Sequence, residues 1–534
     1  MAGVSAVALA AGIERSPLSP VLPPGAGPIA PLHMLARAAG LDAISPGHQA
    51  AFAITAVVGC TFAFLFSLRE AWRGALSLRL VVGLGVAFVV VATVVPLLFS
   101  RDVYSYSIYG RIASVHHANP YVTVPADVSS DPLFRLVGPE WRHTPAVYGP
   151  AFTALSVGLT RLVGGVAALI WVFKLIAGAA AVATLLLVAR TARRLRPERA
   201  AFAAALVGWN PVVLFHGVGG GHNDLLVGLA VAGAFAIVAG RHGAGGAAGS
   251  PSVRAEAAAR SAGRRELLAT LVLTLGTLVK ATAAVPLVLM VTAAVWRRPR
   301  PERLRAVAAH VGVVAAVAAV FAGPFFQTDD PTLGLATLAT HQGWLAPTRF
   351  FRAVLGAVGH AAGGDVGRSV VETVVRSVFA AAFVGVFAVL VRETARRAAR
   401  GSSIAPAGGG LGPLAQGAGW GWGLLLFTLL APVLLPWYAV WVLPVVWTLP
   451  RVPRTGAIVL AGFLAVSQTV AEAVHFPGLF GAILLFGHYV LTPALFVVLV
   501  WLLVDMRRRV REGLPLEATP PPERERVPAR ADHR

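Results

Sequence analysis

Apolar stretches of bilayer-crossing length recur along most of this 534-residue chain, and the charges are confined largely to the gaps between them. A helix needs about 20 apolar residues to cross a hydrocarbon core. Stretches near 50–69, 80–99, 165–189, 200–217, 221–239, 305–325, 377–396, 455–474 and 481–504 meet that length. Two further runs, 266–296 and 419–450, are too long for one helix and read as hairpins of two short helices, turning near Lys280 and at Pro436-Trp437-Tyr438. The expectation is an all-α polytopic membrane protein with about thirteen crossings. Composition agrees, since 57% of residues are hydrophobic and only 13% charged, about half the charged share of a soluble domain.

The arginines orient these crossings. They fall after the first span (Arg69, Arg73, Arg79), after the third (Arg190 to Arg199), in a Gly/Ala-rich stretch from Arg241 to Arg265, and at Arg297 to Arg305, Arg392 to Arg400, Arg451 and Arg454, and Arg507 to Arg511. Under the alternation above all of these clusters share one face, which the positive-inside bias makes cytoplasmic. The net charge of +21 therefore reflects topology. No basic stripe interleaved with stacking aromatics lies on a polar segment, so a nucleic-acid partner is not expected. The single cysteine, Cys60, rules out an intrachain disulfide and a cysteine-based zinc site.

Three regions follow: an extracytoplasmic segment 1–49, a transmembrane domain 50–505, and a disordered cytoplasmic tail 506–534, charged and Pro-rich from about Glu512. Residues 1–13 are apolar but too short to span, and no basic stretch precedes them to make a cleavable signal. An additional upstream helix would raise the count to fourteen. The outer face receives two long loops, 100–164 and 326–376, and short connections at Gly219–His222, Lys280, Trp437 and His475–Phe480. Tyr148-Gly149-Pro150 and the apolar stretch to about Val163 read as a helix lying along the membrane surface, anchored by Trp141, Tyr148 and Phe152.

Polar residues at membrane depth cost about 2.5–3.5 kcal/mol each on insertion scales, which makes them functional candidates. Four groups stand out, all on the outer face. The first runs from Arg101-Asp102-Val103-Tyr104-Ser105-Tyr106 through Arg111 to His116-His117-Ala118-Asn119-Pro120-Tyr121. A helix cap with a surface Arg101–Asp102 pair would explain its start; the density of Tyr, Arg, His and Asn suits a sugar or phosphate site. The second is Trp209-Asn210-Pro211 followed by Gly219-Gly220-Gly221-His222-Asn223-Asp224, where glycines permit close ligand approach. The third is Lys280, which could snorkel to the surface or bind an anionic headgroup. The fourth is Thr328-Asp329-Asp330 with His341, Gln342 and Trp344, together with Trp437-Tyr438. Adjacent carboxylates can hold a divalent metal with waters, but are also common in solvated loops. No cofactor is assigned, and a divalent metal remains open. Motifs for zinc proteases, α/β-hydrolases, Walker loops and dinucleotide folds are absent from the sequence.

In the order and spacing of Asp102-Val103-Tyr104-Ser105-Tyr106, Asn119-Pro120-Tyr121, Tyr148-Gly149-Pro150, Trp209-Asn210-Pro211, Gly221-His222-Asn223-Asp224, Lys280 and Pro436-Trp437-Tyr438, the chain resembles the polyprenol-phosphomannose-dependent α-1,6-mannosyltransferases of actinobacteria, the MptA/MptB type, across about 50–505. The N-terminus and the His116-His117 pair depart from that pattern. The resemblance implies a GT-C membrane glycosyltransferase fold with a helical first outer loop, a polyprenyl-phosphate-mannose donor, and a lipid-anchored mannan acceptor. It also implies a plasma-membrane location with the active site on the extracytoplasmic face, and a catalytic acidic residue at the start of the first outer loop, here Asp102. A base there would take the acceptor proton. Lys280, Arg111 and His222 are candidates to stabilise the departing phosphate. Tyr104, Tyr106, Asn119, Tyr121, Asn223, Asp224, Trp437 and Tyr438 are candidates to hold sugar. Two alternatives stand beside this expectation: a GT-C transferase using polyprenyl-phosphate arabinose or glucose, and a lipid-sugar transporter, which would predict an inverted internal repeat that is not visible in the sequence.

Overall fold

Backbone amides in lipid have no water to bond, so a spanning chain must satisfy its own N–H and C=O groups. The computed structural model does so with helices: no strand occurs among the described residues, which are 1–240, 251–327, 331–334, 337, 345–404, 411–471 and 477–518. Among the described residues six helical stretches are long and apolar enough to cross a membrane, and shorter apolar helices lie at Ala2–Ala11, Leu78–Val94, Asp224–Val238 and Ala281–Trp296. The chain is an all-α polytopic membrane protein.

The N-terminal region is more ordered than its Pro/Gly content suggests. Helix α1 (Ala2–Ala11) buries Val7, Ala10 and Ala11, while α2 (Ala30–Ala38) is short and mostly exposed. A Cβ on Gly3 would stand 2.8 Å from the Cα of Cys60 in α3 (Pro46–Arg73), so α1 packs backbone to backbone on the first long helix, a contact that small residues make possible. Beyond α1 the chain enters the bundle: Leu18 accepts from the Phe99 amide at 2.8 Å and Pro17 from the Ala471 amide at 2.7 Å.

Helix α4 (Leu78–Val94) leads to α5 (Asp102–Ser114) and α6 (Pro150–Leu162), which build a cap with its own core. They close over Gly110, where a Cβ would meet the Ser156 carbonyl oxygen at 2.6 Å. Tyr106 lies edge-on to Tyr148 at 4.8 Å and to Phe152 at 4.7 Å. Such aromatic pairs contribute about 0.5–1.5 kcal/mol beyond area burial. Tyr148 and Phe152 were expected to anchor at the headgroup level; both point into this core instead and are at most 7% exposed. The ring edges find quadrupole partners there that lipid would not supply.

The bundle continues through α7 (Val166–Leu195), α8 (Ala200–Gly208), α9 (Asp224–Val238), α10 (Pro251–Val279), α11 (Ala284–Trp296) and α12 (Arg300–Ala322). Part of the Gly/Ala-rich basic stretch between the fifth span and the next is thus helical, from Pro251. The expected hairpin turn at Lys280 is present: its backbone is extended (φ −157°, ψ 130°) between α10 and α11. Between α8 and α9, Pro211 opens a wide π-turn over Val212–Gly219. The second long run departs from two α-helices. Helix α14 (Pro413–Leu430) forms, but prolines 436, 444 and 450 leave 3-10 helices at Pro436–Trp441 and Leu443–Thr448, because proline removes the amide a continuing α-helix needs.

Helix α13 (Pro347–Ile404) occupies much of the stretch expected as a second outer loop. Non-helical Gly363 and Gly364 fold it into a hairpin, and a Cβ on Gly359 would meet the Gly367 carbonyl oxygen at 2.7 Å. Arg352 of one arm pairs with Glu372 of the other, so two of the charges that read as loop meet within the hairpin. Helices α15 (Arg451–Val466), α16 (Pro477–Phe486) and α17 (Thr492–Glu512) complete the bundle. After Glu512 the chain does not leave at once as a free tail: Leu516 is buried, and the Ala518 amide donates to Thr448 at 2.8 Å.

Gly149 joins the cap to the bundle. Its amide donates to the Val279 carbonyl at 3.1 Å, and a Cβ there would clash with the Leu278 carbonyl. Gly149→Ala is expected to destabilise the protein by about 1–3 kcal/mol, read as a lowered unfolding temperature in detergent.

Candidate functional site

Four interruptions of regular helix meet at one place. Asp102 opens α5 after the irregular stretch that follows α4. His222 and Asn223 precede α9 and Asp224 starts it. Lys280 occupies the break between α10 and α11, and Trp437, Tyr438 and Trp441 lie on the 3-10 turn opened by Pro436. Glycine makes the approach possible: Gly221 adopts φ +64°, and a Cβ there would lie 2.8 Å from Val103 beside Asp102.

The side chains form two linked groups. Oδ2 of Asp102 lies 3.4 Å from Nδ1 of His222 and 3.5 Å from the Tyr106 hydroxyl, which donates to it. The same hydroxyl is 3.4 Å from Nδ1 of His222 and 3.4 Å from Oδ1 of Asn223. These distances are at the long edge of hydrogen bonding, loose enough for a ligand oxygen to compete. Burial pushes the Asp102 carboxyl up, but the hydrogen bond and charge of His222, the charge of Lys280 and the Ser100 hydroxyl outweigh it and hold the carboxyl below the usual carboxylate range. Asp102 therefore stays ionised at neutral pH.

In the second group Lys280 donates to Oδ1 of Asp224 at 2.8 Å, and the Trp441 indole N–H donates to the same oxygen at 2.7 Å. The ammonium lies 4.1 Å from the Tyr438 ring centroid and 5.2 Å from that of Trp441, a desolvated cation–π arrangement. Trp437 stacks on His222 at 3.6 Å, and Tyr438 stacks on Trp441 at 4.1 Å. Four buried polar atoms around this junction carry no hydrogen bond among the described residues: Nε2 of His222, Nδ2 of Asn223, Oδ2 of Asp224 and Nε1 of Trp437. An unsatisfied buried polar atom costs about 1–3 kcal/mol, so the cluster is primed for a hydroxyl-rich or anionic ligand.

Asp102, Tyr106, His222, Asn223, Asp224, Lys280, Trp437 and Tyr438 thus come together. Four other candidates do not join them. Arg111 donates to Asp131 at 2.8 Å, beside His116 at 2.9 Å; that carboxyl is also held low, burial being outweighed by His116, the Leu133 amide and Arg111. Tyr104 donates to the Val21 carbonyl at 2.7 Å. Asn119 donates to the Phe325 carbonyl and accepts from the Tyr121 amide. Tyr121 donates to the Tyr148 carbonyl at 2.7 Å. All four fasten the cap. Residues Asp329, Asp330, His341, Gln342 and Trp344 lie outside the described residues, and no group of three metal-ligating side chains occurs among those described.

Trp441 was not anticipated, although a signal existed: a 3-10 helix repeats every three residues, so Tyr438 and Trp441 share a face.

The α-(1→6)-mannopyranosyltransferase family model, for its N-terminal domain, matches residues 20–297, just over half of the chain. The α-(1→6)-mannopyranosyltransferase A of Mycobacterium tuberculosis is 33% identical over 274 residues, 48% of this chain and 46% of that protein. The α-(1→6)-mannopyranosyltransferase A of Corynebacterium glutamicum is 34% identical over 146 residues, 26% of this chain and 29% of its own length. The matched stretches thus span less than half of either relative. No solved structure matches.

Trp441→Phe keeps the ring against Tyr438 but strips one donor from the buried Asp224. The expected cost is about 1–3 kcal/mol, measured as a fall in thermal stability that Tyr438→Phe does not reproduce.

Proposed function

The chain belongs to the α-(1→6)-mannopyranosyltransferase family, and we propose that it is an inverting transferase. It moves mannose from polyprenyl-phosphate-mannose to a lipid-anchored mannan acceptor, forming α-1,6 linkages at the extracytoplasmic face of the plasma membrane. The observation that carries this reading is the convergence of an ionised Asp102 and the Lys280 ammonium in one buried cluster with unsatisfied polar atoms. A transferase using a lipid-phosphate sugar needs a base for the acceptor and a cation for the leaving phosphate, and needs no nucleotide-binding fold.

The acceptor hydroxyl oxygen attacks the anomeric carbon from the face opposite the phosphate. A new glycosidic C–O bond forms as the bond to the phosphate oxygen breaks, inverting the β-linked donor to an α-product. The hydroxyl proton passes to Asp102, whose carboxyl is ionised and so able to take it. The electron pair of the broken bond leaves on the phosphate, where Lys280 and His222 stabilise the charge. The Lys280 ammonium has two donors beyond the one Asp224 takes. Asn223, Asp224, Trp437 and Tyr438 hold the sugar and fix both reactants in line. Tyr106 acts as a positioning residue through its hydroxyl, which sets Asp102 against His222.

The extracytoplasmic address rests on the arginines. The end of α15 nearest this cluster is its C-terminus, whereas Arg451 and Arg454 begin it, and the positive-inside bias places such residues in the cytoplasm.

In membranes supplied with polyprenyl-phosphate-mannose and a short α-mannoside, Asp102→Asn is expected to lower transfer by roughly 10²–10⁴-fold with normal insertion. Full activity in that variant rejects the proposed base. Offering polyprenyl-phosphate glucose and arabinose beside mannose, and reading the mass added to the acceptor, decides the sugar.

A further inference from the structure

At the far end of the bundle from Asp102 lies an arginine-lined cavity of about 480 Å³, between elements distant in sequence. The separation follows from α15. Two residues past its C-terminus, Gln468 donates to the Phe99 carbonyl, close to Asp102. Its N-terminal residues Arg451 and Arg454 line the cavity, and a helix of 16 residues spans about 24 Å.

Five arginines line this space: Arg196, Arg199, Arg451, Arg454 and Arg509. The guanidinium carbons of Arg199 and Arg454 lie 3.6 and 4.0 Å from the ring centroid of one indole, Trp72. The two charges are therefore no more than about 8 Å apart, the Debye length at physiological salt, and they repel each other. Peptide carbonyls hold them in place without neutralising them: Arg199 donates to Trp72 at 2.7 Å, and Arg454 to Leu449 at 3.3 Å. Arg509 is paired with Asp505 at 2.6 Å, and Arg196 with Glu198 at 3.7 Å. Arg199, Arg451 and Arg454 make no ion pair among the described residues. Among the described residues Glu517 is the one carboxylate lining the cavity; it leans toward Arg397 at 3.7 Å, and its Oε2 is buried without a hydrogen bond.

Fixed, crowded guanidiniums beside an aromatic face are the chemistry that takes phosphate oxygens, two N–H donors at a time. Basic pockets between helices at the cytoplasmic end of a membrane protein also suit anionic headgroups. We propose that this arginine-lined cavity binds a phosphate-bearing anion, at a site separate from the transferase cluster. The docked segment Leu514–Ala518 forms one wall: Arg196 donates to the Ala518 carbonyl and Arg509 to that of Pro515, each at 2.8 Å. The site is thus completed by the C-terminal chain after α17, and a bound anion would fasten that segment.

The test uses the full chain in a neutral detergent, titrated with inorganic pyrophosphate, with dihexanoyl-phosphatidylglycerol and with dihexanoyl-phosphatidylcholine, followed by calorimetry and thermal unfolding. Saturable binding of either anion, with none of the zwitterionic lipid, is expected. A response to pyrophosphate assigns a soluble phosphate ligand, and a response to phosphatidylglycerol alone assigns a leaflet headgroup. Arg199→Gln with Arg454→Gln should weaken the anion by roughly tenfold or more. Glu517→Gln, which removes the opposing carboxylate, should tighten it. Absence of saturable anion binding overturns the proposal, as does unchanged affinity in the double variant. Unchanged or weaker affinity in Glu517→Gln, which leaves the arginines intact, also overturns it even where the double variant does not fold.

Discussion

The Lys280–Asp224 ion pair sits where two helices are interrupted, and the polar junction is organised around it. Asp224 is fully buried, and the Lys280 side chain is only 12% exposed. Each charge alone would carry a desolvation penalty of several kcal/mol. Together, with the Trp441 N–H on the carboxylate and the Tyr438 ring beneath the ammonium, they offset much of that penalty. The pair ties the break between α10 and α11 to the start of α9, and through Trp441 to the proline-rich 3-10 turn. That fixes Trp437 against His222, and His222 against Asp102. Interrupted helices at membrane depth are tolerated where their freed groups are buried in protein or line a cavity.

A second constraint acts from the cap. Its tyrosines read as sugar platforms when only the sequence is in view. In the folded chain most of them spend their hydroxyls on backbone carbonyls: Tyr104 on Val21, Tyr109 on Thr144, Tyr121 on Tyr148. Tyr106 differs because its hydroxyl meets side chains of the junction instead. The cap thus holds Asp102 by packing on one side and by one phenol on the other. At the opposite end of α15 the arginines face a cavity with one carboxylate among its lining residues, so the two ends of the bundle differ in what they can bind.

Sequence pattern located the junction well for a physical reason. Asp, His, Asn and Lys stand out when their neighbours are apolar, and Asp102, His222, Asn223, Asp224 and Lys280 are all such interruptions. Proximity along the chain was a poorer guide. Arg111 lies on the same helix as Asp102, but nine residues on is about 14 Å along the axis, and Asp131 captures it. The part of α13 before residue 377 was hidden because Arg352, Asp365, Arg368 and Glu372 lower its hydropathy, while the hairpin lets Arg352 and Arg368 both face Glu372. Trp441 was overlooked because prolines replaced an expected α-helical leg by one with a three-residue repeat.

Membrane residence, helical class and the segregation of arginine from the unusual polar residues were determined by the amino-acid sequence itself, because hydrophobic length and charge placement act locally along the chain. Which polar residues meet was decided only by tertiary structure. A side-chain donor takes the nearest acceptor once packing is complete, and that acceptor can lie far along the chain: 206 residues from Asn119 to Phe325 and 322 from Arg196 to Ala518. No local pattern encodes such a choice. The separation of eight junction residues from four cap fasteners is therefore a property of the fold.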